Sequence, residues 1–181
     1  SELEEVLKEV EEIVRRLEEE LRKSLKETRE IVTKLLKKLK ESLEDSERIV
    51  RELSRKLGGT DEARKLLEEA NDHDRRVIEE IKRELKRLLD KDREVVKKIE
   101  DELRKLLKKV REVVERLKDK GRDEEARKVL ETAKKLVDDL KRKLERVKEE
   151  SAKLVDELRK ELRRVNERSK ELVEKLEREA K

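Results

Sequence analysis

The sequence contains no cysteine, methionine, proline, phenylalanine, tyrosine or tryptophan, and of its 181 residues three are glycine and one is histidine. Aromatic residues supply core volume, and together with cysteine and methionine they supply much of the reactive or adaptable surface of natural proteins. A chain with none of them is poor in the means of catalysis and of induced fit. Without cysteine, nothing fixes a redox compartment. No apolar run approaches the ~20 residues of a membrane-spanning helix, and none forms the ~7–15-residue core of a signal peptide. The chain is therefore expected to be soluble and without a targeting signal, cytoplasmic if expressed without one.

Charge is abundant but balanced. Lysine and arginine number 55 against 51 aspartate and glutamate, so the net charge is only +4. Charged residues make up 59% of the chain and hydrophobic ones 32%, a mixture that would suit disorder if the apolar minority were scattered. It is periodic instead. An eighteen-residue unit, Leu3 to Glu20, recurs as Leu21 to Lys38 and Leu39 to Lys56. Matching offsets carry matching residues: Leu7, Leu25 and Leu43; Ile13, Ile31 and Ile49; Leu17, Leu35 and Leu53. Eighteen residues make five turns of a straight α-helix, so the apolar stripe stays parallel to the axis, where a seven- or eleven-residue repeat would supercoil it. The inward positions fall within an arc of roughly 120°, which suits a helix that contacts two neighbours.

The same period continues through Leu67, Leu85 and Leu103, and through Leu136, Leu154 and Leu172. Two glycine-containing turns interrupt it, residues 58–60 and 121–123. Ser1 with Glu4 forms a capping box, Gly58 and Gly121 can end helices, and Thr60 can cap the next one. Turns this short make neighbouring helices antiparallel. The spacing predicts an all-α, up-down-up antiparallel three-helix bundle occupying 1–181 as a single domain, with long, nearly straight helices over about 2–57, 61–120 and 124–181.

Polar residues break the stripe at matched heights. Counted from a common end (Leu3, Leu117 and Ala126 in the three helices), Thr28, Asp92 and Ser151 each lie twenty-five residues along. Eighteen residues further lie Ser46, Asp74 and Ser169, and eighteen nearer lie Val10, Val110 and Ala133. Ser24 and Lys148 flank the middle layer and Ser42 and Asn166 the upper, whereas Val6 and Leu130 flank the lowest. The expectation is two buried hydrogen-bond networks about 27 Å apart at 1.5 Å per residue, and one all-apolar version of the same layer. Aspartate accepts, serine and threonine donate and accept, lysine donates and asparagine does both, so such layers can satisfy themselves. Their role is to fix pairing and register, because sliding a helix would strand each buried polar group at ~1–3 kcal/mol. Carboxylate chemistry is a poor alternative, since neither aspartate has a histidine or second carboxylate at its level.

Other motifs dissolve on inspection. Asn71, Asp72, His73 and Asp74 are consecutive on a helix and point in four directions about 100° apart, so they cannot converge on a metal. His73 is expected on the solvent face. None of Gly58, Gly59 and Gly121 opens a phosphate-binding loop. Lys34, Lys37, Lys38 and Lys40 spread over a solvated face with no aromatic beside them to stack on a base. No catalytic residue, cofactor or metal site is expected, nor any nucleic-acid or membrane partner.

The eighteen-residue repeat, the two glycine-capped turns, the Leu/Val/Ile core, the Glu/Lys/Arg surface and the polar layers together resemble de novo designed parametric helical bundles with buried hydrogen-bond networks. The resemblance covers the whole chain. It is unlike natural three-helix repeats of the spectrin type, which carry aromatic anchors and are less regular. What the resemblance implies is a stable scaffold without catalytic activity. With each apolar arc used inside one bundle, the chain is expected to be a monomer that requires no partner. The alternative, an interaction or switch module that binds a partner helix, has only Leu36 and Leu66 at the stripe's edges in its favour.

Overall fold

Three α-helices account for the chain in a computed structural model that describes residues 2–56 and 61–179: α1 (Glu2–Lys56), α2 (Asp61–Asp119) and α3 (Asp123–Glu179). The fold is an all-α three-helix bundle. Sequence features at Ser1, and at Leu57, Gly58, Gly59 and Thr60, lie outside the described residues. Long helices form because glutamate, lysine and arginine fill most exposed positions and no proline interrupts them. Their ends agree with the macrodipole. Glu2, Glu4 and Glu5 open α1, Asp61 and Glu62 open α2, Asp123, Glu124 and Glu125 open α3, and Arg116 and Lys118 close α2.

The α2–α3 turn is built by backbone geometry. Gly121 has φ +73°, a left-handed conformation open to glycine, and the Arg122 amide donates to the Leu117 carbonyl at 2.9 Å while the Gly121 amide donates to Lys118 at 3.0 Å. This pair of bonds is a Schellman cap, which satisfies carbonyls that the last turn of α2 would otherwise leave open. The Ala126 amide then donates to the Arg122 carbonyl at 3.0 Å and starts α3.

The chain divides into two compact units. Unit 1 comprises residues 1–27 and 89–151, and unit 2 residues 28–88 and 152–181. Unit 1 has a continuous apolar core in which Val10, Val14, Leu17 and Leu21 of α1 meet Ile99, Leu103, Leu106 and Val110 of α2 and Val129, Ala133, Val137 and Leu140 of α3. Interhelical ion pairs show the direction of its helices. An advance of eleven residues from Glu9 to Glu20 on α1 is matched by a retreat of eleven from Lys109 to Lys98 on α2. A further advance of seven to Glu27 is matched by a retreat of seven to Lys91. Helices α1 and α2 therefore run antiparallel. Leu25, one of the matched apolar positions of the repeat, is only half-buried, whereas Leu17 is fully buried.

In unit 2, α1 and α2 are again antiparallel, Lys38 facing Glu84 and the later Ser42 and Ser46 facing the earlier Asp74. Val32, Leu35, Leu39, Ile81, Leu158 and Val165 are buried there, and Leu53, Ala63, Leu67 and Leu176 form one apolar cluster.

Candidate functional site

Unit 2 buries a carboxylate. Asp74 is 6% exposed, and α1 supplies its donors: the Ser42 hydroxyl donates to Oδ1 at 2.8 Å and the Ser46 hydroxyl donates to Oδ2. Isolated burial of a carboxylate is strongly unfavourable, and hydroxyl donors aimed at each oxygen offset it with charge-assisted bonds. The geometry is a direct consequence of helical spacing. Ser42 and Ser46 stand four residues apart, hence one above the other on one face of α1, and together they span the two oxygens of a single carboxylate. Ser46 Oγ also lies 3.0 Å from the Ser42 carbonyl. Its one proton serves the carboxylate, the stronger acceptor.

The third helix joins this layer only in part. Ser169 of α3 is buried, but its hydroxyl has no hydrogen-bond partner among the described residues. Asn166, expected as a buried flank of the layer, is exposed. The physical reason is angular: it stands three residues before Ser169 at the rim of the apolar arc, where an amide can stay hydrated. Asn71, which the sequence reading placed only in a false metal motif, is half-buried beside Asp74 and Ser169 in a groove between α2 and α3. Its position three residues before Asp74 on the same helix was the available signal.

The members expected in the middle layer fall differently. Thr28, which belongs to unit 2, is fully buried; Ser24, Asp92, Lys148 and Ser151, which belong to unit 1, are half-buried. Thr28 and Asp92 each have an interaction partner. The Lys148 ammonium donates to Glu100 at 3.2 Å and to Glu145 at 3.3 Å, partners that the height count did not anticipate. Partial burial works to lower its pKa, and the two carboxylates overcome that and raise it above the ordinary lysine value.

His73 is exposed at the edge of a cleft between α1 and α2 with a volume of about 440 Å³, whose apolar wall includes Ile49, Leu53 and Leu66. Among the described residues, no group of three or more histidine, cysteine or acidic side chains is placed to hold a metal ion. Nor is any described helix long and apolar enough to cross a membrane.

No protein-family model matches the chain, and no curated protein matches it. Among solved structures it is similar to one described as a "Computationally designed three helix bundle", with a TM-score of 0.45 and 19% identity over 98% of this chain and 87% of that one. A likeness of that order carries no argument about function.

Proposed function

We propose that the chain is a structural scaffold of designed kind, a monomer that needs no cofactor and no partner, in which buried polar layers set which helices pair and in what register. The observation that carries this reading is the pair of α1 hydroxyls meeting both oxygens of Asp74. Displacing α2 by one turn against α1 would leave the carboxylate facing one serine and one apolar position such as Leu39 or Val50, and so strand one of its two oxygens at a cost of about 1–3 kcal/mol. An apolar layer imposes no such penalty on slippage. Catalysis is not part of the reading.

The test is to erase the layer with Ser42→Val, Ser46→Val, Asp74→Leu and Ser169→Ala combined. Replacing a buried polar cluster with packed apolar groups is often neutral or stabilising, so stability should hold. Uniqueness should suffer: light scattering should detect species above the 21.8 kDa monomer, and amide spectra should show more than one set of peaks. A variant that remains one monodisperse species with one set of peaks would refute the register role.

One observation favours the second reading, a helical interaction or switch module. Leu66 is 44% exposed and lines the α1–α2 cleft with Ile49 and Leu53. A concentration-independent monomer mass that does not change on adding amphipathic helical peptides counts against it.

A further inference from the structure

The unpartnered Ser169 hydroxyl does not stand against a packed wall. It lines a cavity of about 140 Å³ between α2 and α3, which it shares with Asp74 and with one apolar neighbour, Ile78. The whole cavity lies within unit 2. Its volume is close to that of an engineered cavity of ~150 Å³ that accepts benzene, so it has room for a molecule of about five or six heavy atoms.

The lining is polarised from floor to mouth. At the floor are two buried groups, the Asp74 carboxylate and Ser169 Oγ, each less than a tenth exposed. Ser42 and Ser46 fill two of the carboxylate's roughly four lone-pair positions, and Asp74 lines the cavity with acceptor capacity to spare. At the mouth stand the exposed cations Arg75, Lys82 and Lys170, against the single carboxylate of Glu79, which pairs with Lys82 at 3.7 Å. A simple cation is attracted by the floor and opposed by the mouth. A simple anion meets the reverse. The complementary ligand carries both charges in order, donors inward and acceptors outward.

We propose that this cavity binds a small zwitterion, an α-amino acid of the size of glycine or alanine, with its ammonium on Asp74 and Ser169 and its carboxylate toward Arg75 and Lys170. The three N–H donors of the ammonium meet the unused lone pairs of Asp74 and the oxygen of Ser169, the one buried polar atom that lacks a partner among the described residues. The carboxylate stays at the hydrated mouth, where guanidinium and ammonium groups can reach it. This inference does not depend on the scaffold reading, since a register-setting layer and a small-molecule site can share Asp74.

Titrating the ¹⁵N-labelled full chain with glycine tests it, at constant ionic strength and pH 7. The expected result is a saturable shift of the amides around Asp74 and Ser169 at millimolar glycine. Methylammonium chloride and sodium acetate, which carry the two charges separately, should each bind at least tenfold more weakly. Ser169→Ala should weaken glycine at least tenfold. Lys170→Ala, at an exposed position that leaves the core intact, should weaken it severalfold and so keeps the test decisive if the buried variant misfolds. The proposal is overturned if glycine gives no saturable shift, if methylammonium or acetate matches it, or if neither variant changes its affinity. An ordered water on Ser169 in crystals grown with saturating glycine would also overturn it.

Discussion

The two units place the same three repeat positions in opposite chemical settings. In unit 1 they are Val10, Val110 and Ala133, all within one apolar core and no more than 2% exposed; in unit 2 they are Ser46, Asp74 and Ser169, 6–7% exposed. Branched apolar side chains fill space and require nothing of their neighbours. The polar set requires particular partners, and its short side chains leave room, which is why a cavity opens beside Asp74 and nearby leucines are less completely enclosed. Leu43 and Leu172 are 8% and 7% exposed, whereas Leu17 and Leu140 of unit 1 are fully buried. The polar layer thus exchanges packing for direction.

The sharpest way to break this comparison is to place unit 2's charge in unit 1. Val110→Asp has no hydroxyl opposite it, since Val10 and Ala133 are its layer neighbours, and it should cost about 3–5 kcal/mol in guanidinium unfolding. Insertion of the same carboxylate without measurable loss would mean that the two layers do not differ in the way described. Core truncation comes next. Leu17→Ala should cost about 2–5 kcal/mol, and Leu172→Ala, in the less enclosed surroundings, should fall in the lower half of that range.

Within the polar layer, Ser46→Ala removes the donor to one Asp74 oxygen and should cost about 1–3 kcal/mol, while Asn166→Ala should stay within ~0.5 kcal/mol because that amide is exposed. Equal effects would return Asn166 to the network. Another small effect concerns alkaline pH. The folded pKa of Lys148 is raised above its unfolded value of about 10.5, so its contribution is fully present below that value and is lost as pH rises through the folded pKa. With about a third of the side chain exposed, the contribution should not exceed ~1 kcal/mol. Comparing Lys148→Met with the parent should show a stability difference at pH 7 that shrinks as the pH rises above the ordinary lysine value and through the raised folded pKa.

How much of this was legible in the sequence depended on the length of the side chain concerned. The eighteen-residue period fixes where each Cβ points, and for short side chains such as Ser42, Ser46 and Asp74 that nearly fixes the contact. Counting heights put Ser42, Ser46 and Asp74 near one level, and both hydroxyls donate to that carboxylate. For Lys148 the Cβ direction was also legible, but four further rotatable bonds carry the ammonium out to Glu100 and Glu145. Asn166 and Leu25 stand at the margins of the arc, where a small rotation of the helix decides between core and solvent. Ser169 illustrates a different limit. Placing three polar groups at one height does not say which way a carboxylate turns, and Asp74 gives both oxygens to α1.

The membership of the two units bears on how the chain can fold as it is made. Each unit joins a continuous antiparallel pair to a segment from the opposite end: residues 89–151 need 1–27, and residues 28–88 need 152–181. Unit 1 therefore has all its residues once 151 has been added, whereas unit 2, although its first pair is synthesised much earlier, must wait for 181. At ~5–20 residues per second, residues 152–181 take about 1.5–6 s to follow. Throughout that interval Val32, Leu35 and Leu39 lack their α3 cover, so the half whose continuous α1–α2 pair is completed first is the half that closes last.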